Sequence, residues 1–149
     1  MKRYEILDMS PGRELDFIIA RDIMGWTYDE EWGQIVPQGH CKPSELWSEY
    51  EWSEKGYSRH PVGMMGGVAY MGDKPHIREY STDIADAWMV IEETRKRGWN
   101  PYIEGSIFGK WICMFQDIHS PNSTGRILAD TAPLAICLAA LLTLLEKEN

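Results

Sequence analysis

Basic residues, cysteines and long apolar runs are all scarce in this chain, and each scarcity removes a class of function. Lysines and arginines number 15 against 23 aspartates and glutamates, for a formal net charge of −8. A duplex-binding protein neutralises phosphates with clustered cations. The one such cluster, Arg95, Lys96 and Arg97, falls at the end of a predicted helix, where the helix dipole already favours cations. Nucleic acid is therefore not the expected partner. The three cysteines, Cys41, Cys113 and Cys137, are an odd number at wide spacing with no CxxC, so no disulfide framework is expected. Cys113 falls in a predicted strand and Cys137 in an apolar helix, and both read as small buried hydrophobes. The longest apolar run, residues 132–145, is short of the ~20 residues that span a bilayer. Residues 1–8 carry no apolar core of a secretory signal. The expected compartment is the cytoplasm, with no membrane partner.

Catalytic signatures are missing too. There is no GxSxG for a nucleophile elbow and no HExxH for a zinc hydrolase. Residues 63–67, Gly-Met-Met-Gly-Gly, have the composition of a phosphate loop. They lack the Lys-Ser/Thr pair and the helix that such a loop opens, so a plain loop accounts for them better. His40 and Cys41 with His60 or His76 match no zinc spacing, and adjacent side chains share one tetrahedral site poorly. A Cys41/His60 nucleophile pair is no more than chance places in a loop. The chain is read as a non-enzyme with no catalytic residue, metal or cofactor.

What the sequence does hold is a globular composition, 44% hydrophobic and 26% charged over 149 residues, which fits one domain. Seven Trp and seven Tyr stand against three Phe. Trp and Tyr join a flat apolar body to a polar tip, which suits interfaces and pockets as well as cores. Ser10-Pro11 is the expected opening of a first helix, with Leu15, Ile18, Ile19, Ile23 and Trp26 at helical spacing and Gly25 as its stop. Residues 27–36 read as extended. Residues 38–80 are hard to read: residues 45–55 fit either an acidic helix or a strand, and residues 68–71 a short strand. An insertion of this length in a compact domain is more often functional than idle.

Ser81, Thr82 and Asp83 are three successive N-cap residues before a helix whose face is predicted as Ile84, Trp88, Ile91 and Arg95. Glu92–Lys96 and Glu93–Arg97 are spaced as supporting ion pairs, and Gly98 ends the helix. Residues 99–107 and 110–118 then form two strands joined around Phe108-Gly109. Trp111, Cys113 and Phe115 alternate with Ile112, Met114 and Gln116, which predicts a strand covered on both sides. Asp130-Thr131 caps a last helix that is apolar almost all round, hence buried or in contact with a second subunit. A strand pair with three helices predicts an α/β fold: a small, mostly antiparallel sheet with helices on both faces.

Three stretches carry a resemblance: residues 23–26 (Ile-Met-Gly-Trp), residues 80–88 (Tyr-Ser-Thr-Asp-Ile-Ala-Asp-Ala-Trp) and residues 129–137 (Ala-Asp-Thr-Ala-Pro-Leu-Ala-Ile-Cys). In this order and spacing they resemble the phage ABA sandwich domain. That implies an α/β/α sandwich over residues 1–149, with the 38–80 insertion longer than the family norm, in the cytoplasm of a host cell. It supplies no catalytic residues.

Two functions follow as expectations. In the first, a phage anti-defence protein sequesters a nucleotide-type signal. The helix starts at Ser81, Thr82, Asp83 and at Asp130, Thr131 would hold a phosphate on free N–H groups, and Trp26, Trp88 or Trp99 would stack on a base. Such a protein would be a homo-oligomer. The plainer account of the same polar residues is helix capping, worth about 1 kcal/mol each. In the second, the Trp-rich acidic segment with Trp47, Tyr50 and Trp52 binds and inhibits a host or phage protein.

Overall fold

Helix propensity and capping begin the chain. In the computed structural model, which describes residues 1–40, 42, 47–48, 63–65, 68–70, 75–106 and 108–148, a short helix α1 (Arg3–Leu7) comes first. The Glu5 carboxylate accepts from the Lys2 backbone N–H at 2.6 Å, tying off its first turn. The sequence pattern gave no sign of this five-residue helix. Helix α2 (Arg13–Asp22) follows, and its N-cap is Gly12 rather than Ser10. It buries Leu15, Asp16, Ile19 and Ala20. Beyond it Gly25 takes φ +77°, the left-handed value that suits glycine where a helix stops.

The chain divides into two compact units: Met1–Met24 with Ile77–Asn149, and Gly25–His76. In the second unit the extended segment is a hairpin of β1 (Thr27–Asp29) and β2 (Gln34–Val36), with Tyr28 opposite Ile35. Asp29 Oδ1 accepts from the backbone N–H groups of Glu31 and Trp32, and Gly33 closes the turn at φ +68°. A three-stranded antiparallel sheet of β3 (Trp47–Ser48), β4 (Gly63–Met65) and β5 (Val68–Tyr70) completes the described part of this unit, in the order β3-β5-β4. Trp47 therefore lies in a strand, and the short strand expected near residue 68 is β5. The other residues of the 45–55 stretch lie outside the described residues.

The first unit resumes with α3 (Ile84–Lys96), β6 (Trp99–Gly105), β7 (Trp111–Asp117), β8 (Ile127–Ala129) and α4 (Ala132–Glu148). The three strands make an antiparallel sheet in the order β6-β7-β8. In it Pro101 faces Phe115, Ile103 faces Cys113, and Cys113 faces Ile127. β8 was missed in the sequence, because three residues after a polar loop show no alternation to count. Helix α4 lies on β7 and β8 and also meets α1, α2 and α3, while α3 packs on β6. An apolar circumference therefore fits its place. Ile136, Leu138, Leu141 and Leu142 are all buried, each worth about 2 kcal/mol of removed apolar surface. Among the described residues the chain has four helices and small antiparallel sheets, the mixed α/β class expected of an α/β/α sandwich.

Two local expectations change. The buried face of α3 is Ala87, Val90, Ile91 and Thr94, with Ile84 55% and Trp88 54% exposed. The charged pairs on α3 form at i,i+3, Glu92–Arg95 at 3.4 Å and Glu93–Lys96 at 3.6 Å. Arg97 instead donates to the carbonyls of Asp22 and Ile23 behind α2. The sheet is also covered less evenly than its alternation predicts. Cys113 and Phe115 are fully buried, but Ile112, Met114 and Gln116 on the opposite face are only half-buried.

Pro101 sits on β6, which is an outer strand of its sheet among the described residues. Phe115 directs both its backbone groups at Thr124, to Oγ1 and from N–H at 3.0 Å each. Its partner Pro101 must therefore point its own backbone nitrogen away from β7, toward the open edge.

Candidate functional site

The start of α3 is built on a turn closed by the Asp83 N–H donating to the Glu79 carbonyl at 2.9 Å. The Asp83 carboxylate then accepts from Asp86 N–H at 2.9 Å, so Asp83 is the cap. Asp86 accepts from Glu79 N–H at 3.0 Å and pairs with Arg78 at 3.4 Å. Thr82 is exposed and makes no part of the cap.

Ser81 is wholly buried and does something else. Its N–H donates to Asp16 Oδ1 at 2.7 Å, and its hydroxyl accepts from Gly12 N–H at 2.9 Å. Ser81 thus reaches from a distant segment to satisfy the backbone N–H of Gly12, the residue that begins α2. Next to it, burial pushes the Tyr80 phenol up to about 12. The Tyr80 carbonyl lies 3.3 Å from Cys137 Sγ on α4. This cluster fastens α2, α3 and α4 together.

At the start of α4, Thr131 Oγ1 accepts from Leu134 N–H at 3.3 Å and is the capping side chain. Pro133 occupies the first turn, where a missing N–H costs no hydrogen bond. Asp130 is exposed and pairs with Lys110, which the register brings close because Trp111 faces Ala129.

The eight sequence-derived ligand residues are carried by different elements. Ser81, Thr82, Asp83 and Trp88 gather at α3, and Asp130 and Thr131 at α4. Trp99 is 2% exposed, at the head of β6 opposite Asp117. Trp26 belongs to the Gly25–His76 unit and is buried. Of the eight, only Trp88 presents a large exposed aromatic face. The acidic groups Asp83 and Asp86 at one helix start, and Asp130 at the other, oppose an incoming phosphate.

Two cavities of the first unit lie elsewhere. One of about 490 Å³ is walled by Ile6, Leu141, Leu144 and Leu145, with Met1, Arg21 and Asp22 at its rim. Arg21 is held there by Asp22 at 2.8 Å, which raises the guanidinium further above its ordinary value. The other, of about 240 Å³, lies on the sheet between Tyr102, Ile103, Glu104, Ile112, Met114 and Arg126. Sequence reading missed both. The alternation of Tyr102 and Glu104 with Ile103 was the one available signal for the second.

Of the earlier alternatives, Trp47 lies in β3, while Tyr50 and Trp52 are outside the described residues, as are Cys41 and His60. His40 meets Trp32 edge-on with ring centres 6.0 Å apart. Among the described residues no three His, Cys, Asp or Glu side chains gather as a metal site would need. Burial pushes the thiols of Cys113 (to about 12) and Cys137 up, so neither supplies a thiolate at neutral pH. No helix among the described residues is long and apolar enough to cross a membrane.

The model of the phage ABA sandwich domain matches residues 17–141, from within α2 to within α4. The chain belongs to that family. No curated protein and no solved structure matches it. The phage ABA sandwich match takes in all eight candidate residues and both helix starts. It also covers Tyr80, Ser81 and the exposed Trp88, while Asp16, the partner of Ser81, lies one residue before the match begins. The family places this chain among phage proteins.

Proposed function

We propose that this phage ABA sandwich protein acts by binding rather than by catalysis, and that it occupies a host or phage protein through α3. The observation that carries this reading is the exposed apolar strip Ile84, Trp88 and Met89, the last 37% exposed. Ile84 and Trp88 stand one turn apart on the same side of the helix. Trp is the residue type that most often anchors a protein interface. An exposed Trp on a helix whose core side is filled by Ala87, Val90, Ile91 and Thr94 contributes little to folding. A net charge of −8 steers the protein toward a basic partner surface.

Sequestration of a nucleotide-type signal in anti-defence is the second reading, and one observation favours it. The cavity of about 490 Å³ falls within the ~300–1,000 Å³ of small-molecule sites. Its leucine wall suits a flat apolar ring, with Arg21 at the rim for an anionic group, although Asp22 already holds that cation.

Native mass spectrometry of the protein purified from infected cells separates the two. A second polypeptide in the wild-type complex that is lost in Trp88→Ala is the expected result. A reproducible added mass of nucleotide size, retained in Trp88→Ala and without a second polypeptide, overturns it in favour of sequestration.

A further inference from the structure

The cavity of about 490 Å³ is walled by Ile6 of α1 on one side and by Leu141, Leu144 and Leu145 of α4 on another. Helix α1 has five residues, and isolated helices below ~12–15 residues are marginal in water. It therefore persists only while docked. Of its side chains only Ile6 is buried, and α4 is the element it packs on. Tyr4 is 66% and Leu7 42% exposed. The Arg3 guanidinium adds a latch by donating to the Thr124 carbonyl at 3.0 Å. That carbonyl is fixed independently of α1, because Thr124 is bonded to Phe115 of β7 through both its N–H and its hydroxyl. At the other end, Ser81 holds the Gly12 N–H, so α2 is fastened without help from α1. Ser10 and Pro11, between the two helices, are exposed and belong to neither.

We propose that α1 is a strap over this cavity, which swings off α4 as a unit while the rest of the first unit stays folded. One buried isoleucine and one hydrogen bond from a charged group hold it down. By contrast α2 is held by Leu15, Ile19 and Ala20, all fully buried. Opening free energies within one protein run from near zero up to the global value, following this kind of difference in buried contacts. Lifting α1 takes Ile6 out of the wall and uncovers Leu141, which is 2% exposed while the strap is down. The apolar wall is thus open or closed according to the Arg3 latch, whatever the cavity takes up.

Thiol labelling tests this. In a Cys41→Ser background the native thiols Cys113 and Cys137 are buried, and Leu141→Cys places another beneath the strap. The new thiol should react with a small aromatic disulfide while Cys113 and Cys137 do not. Arg3→Met should quicken that reaction roughly tenfold, the worth of a hydrogen bond to a charged group, and Tyr4→Ala, at an exposed position, should leave it unchanged. Labelling of all three thiols at one rate overturns the proposal, as does a rate at Leu141→Cys that is indifferent to Arg3→Met. Because Leu141→Cys thins the core, native-state hydrogen exchange of the wild-type chain gives a second measurement. The Asp8 and Met9 amides donate to the Tyr4 and Ile6 carbonyls at 3.1 Å each, and the Ile23 amide to the Ile19 carbonyl at 3.0 Å. Asp8 and Met9 should exchange together and far ahead of Ile23. Exchange of all three at the rate of global unfolding overturns the strap equally.

Discussion

Ser81 and Asp16 lie 65 positions apart, yet together they satisfy the backbone at the start of two helices. Ser81→Ala removes the acceptor for Gly12 N–H and should cost about 1–3 kcal/mol in urea unfolding. The neighbouring Thr82→Ala, at an exposed position, should stay within about 0.5 kcal/mol. Ser81 was visible in the sequence as one of three capping residues. Its real partner was not, because nothing local links positions 12, 16 and 81. Thr131 and Asp130 show the same limit: either side chain suits a cap, and only the register that brings Lys110 to Asp130 assigns the role to Thr131. Cys113 makes a second residue-scale prediction. Burial holds its thiol protonated up to about pH 12, from an ordinary value of 9.0. Between these values the unfolded chain loses the proton and the folded chain keeps it, so stability should fall as pH rises from 9. Melting temperature measured across that range should show the decline, and Cys113→Ala should make it shallower.

Helix α3 shows what periodicity resolves and what it leaves open. Its span was legible from the cap residues, the helical spacing and Gly98, whose φ is +92°. The buried face was not, because Ile84 and Trp88 outweigh Ala87 and Thr94 on any hydrophobicity count. The small residues are the ones that let α3 approach α4 and β6, and Thr94 satisfies its hydroxyl on the Val90 carbonyl at 2.8 Å. Ala87→Leu should therefore overpack the core and cost about 1–3 kcal/mol. Trp88→Ser should change stability by less than about 0.5 kcal/mol. Chemical denaturation of the two variants separates the faces, and the reverse order would restore the face read from the pattern. Short elements escaped for a different reason. Five residues in α1 and three in β8 are fewer than a period needs to declare itself.

At the scale of the whole molecule, the α/β class followed from three helices, the last of them long and apolar, and one strand pair. The partition into Met1–Met24 with Ile77–Asn149 and Gly25–His76 did not, since it depends on which distant segments pack together. The residues proposed for ligand binding were legible as polar helix starts, but such a start has the same sequence whether it closes a helix or holds a phosphate. Only the hydrogen-bond partners tell the two apart. Pro101, at the open margin of β6, bears on how this protein behaves in quantity. An unblocked strand edge accepts another strand, and then another, with no step at which growth stops. A missing donor in mid-strand interrupts that ladder at its first rung. At Pro101, then, β6 offers no backbone donor to a strand arriving along that margin, which disfavours open-ended growth there.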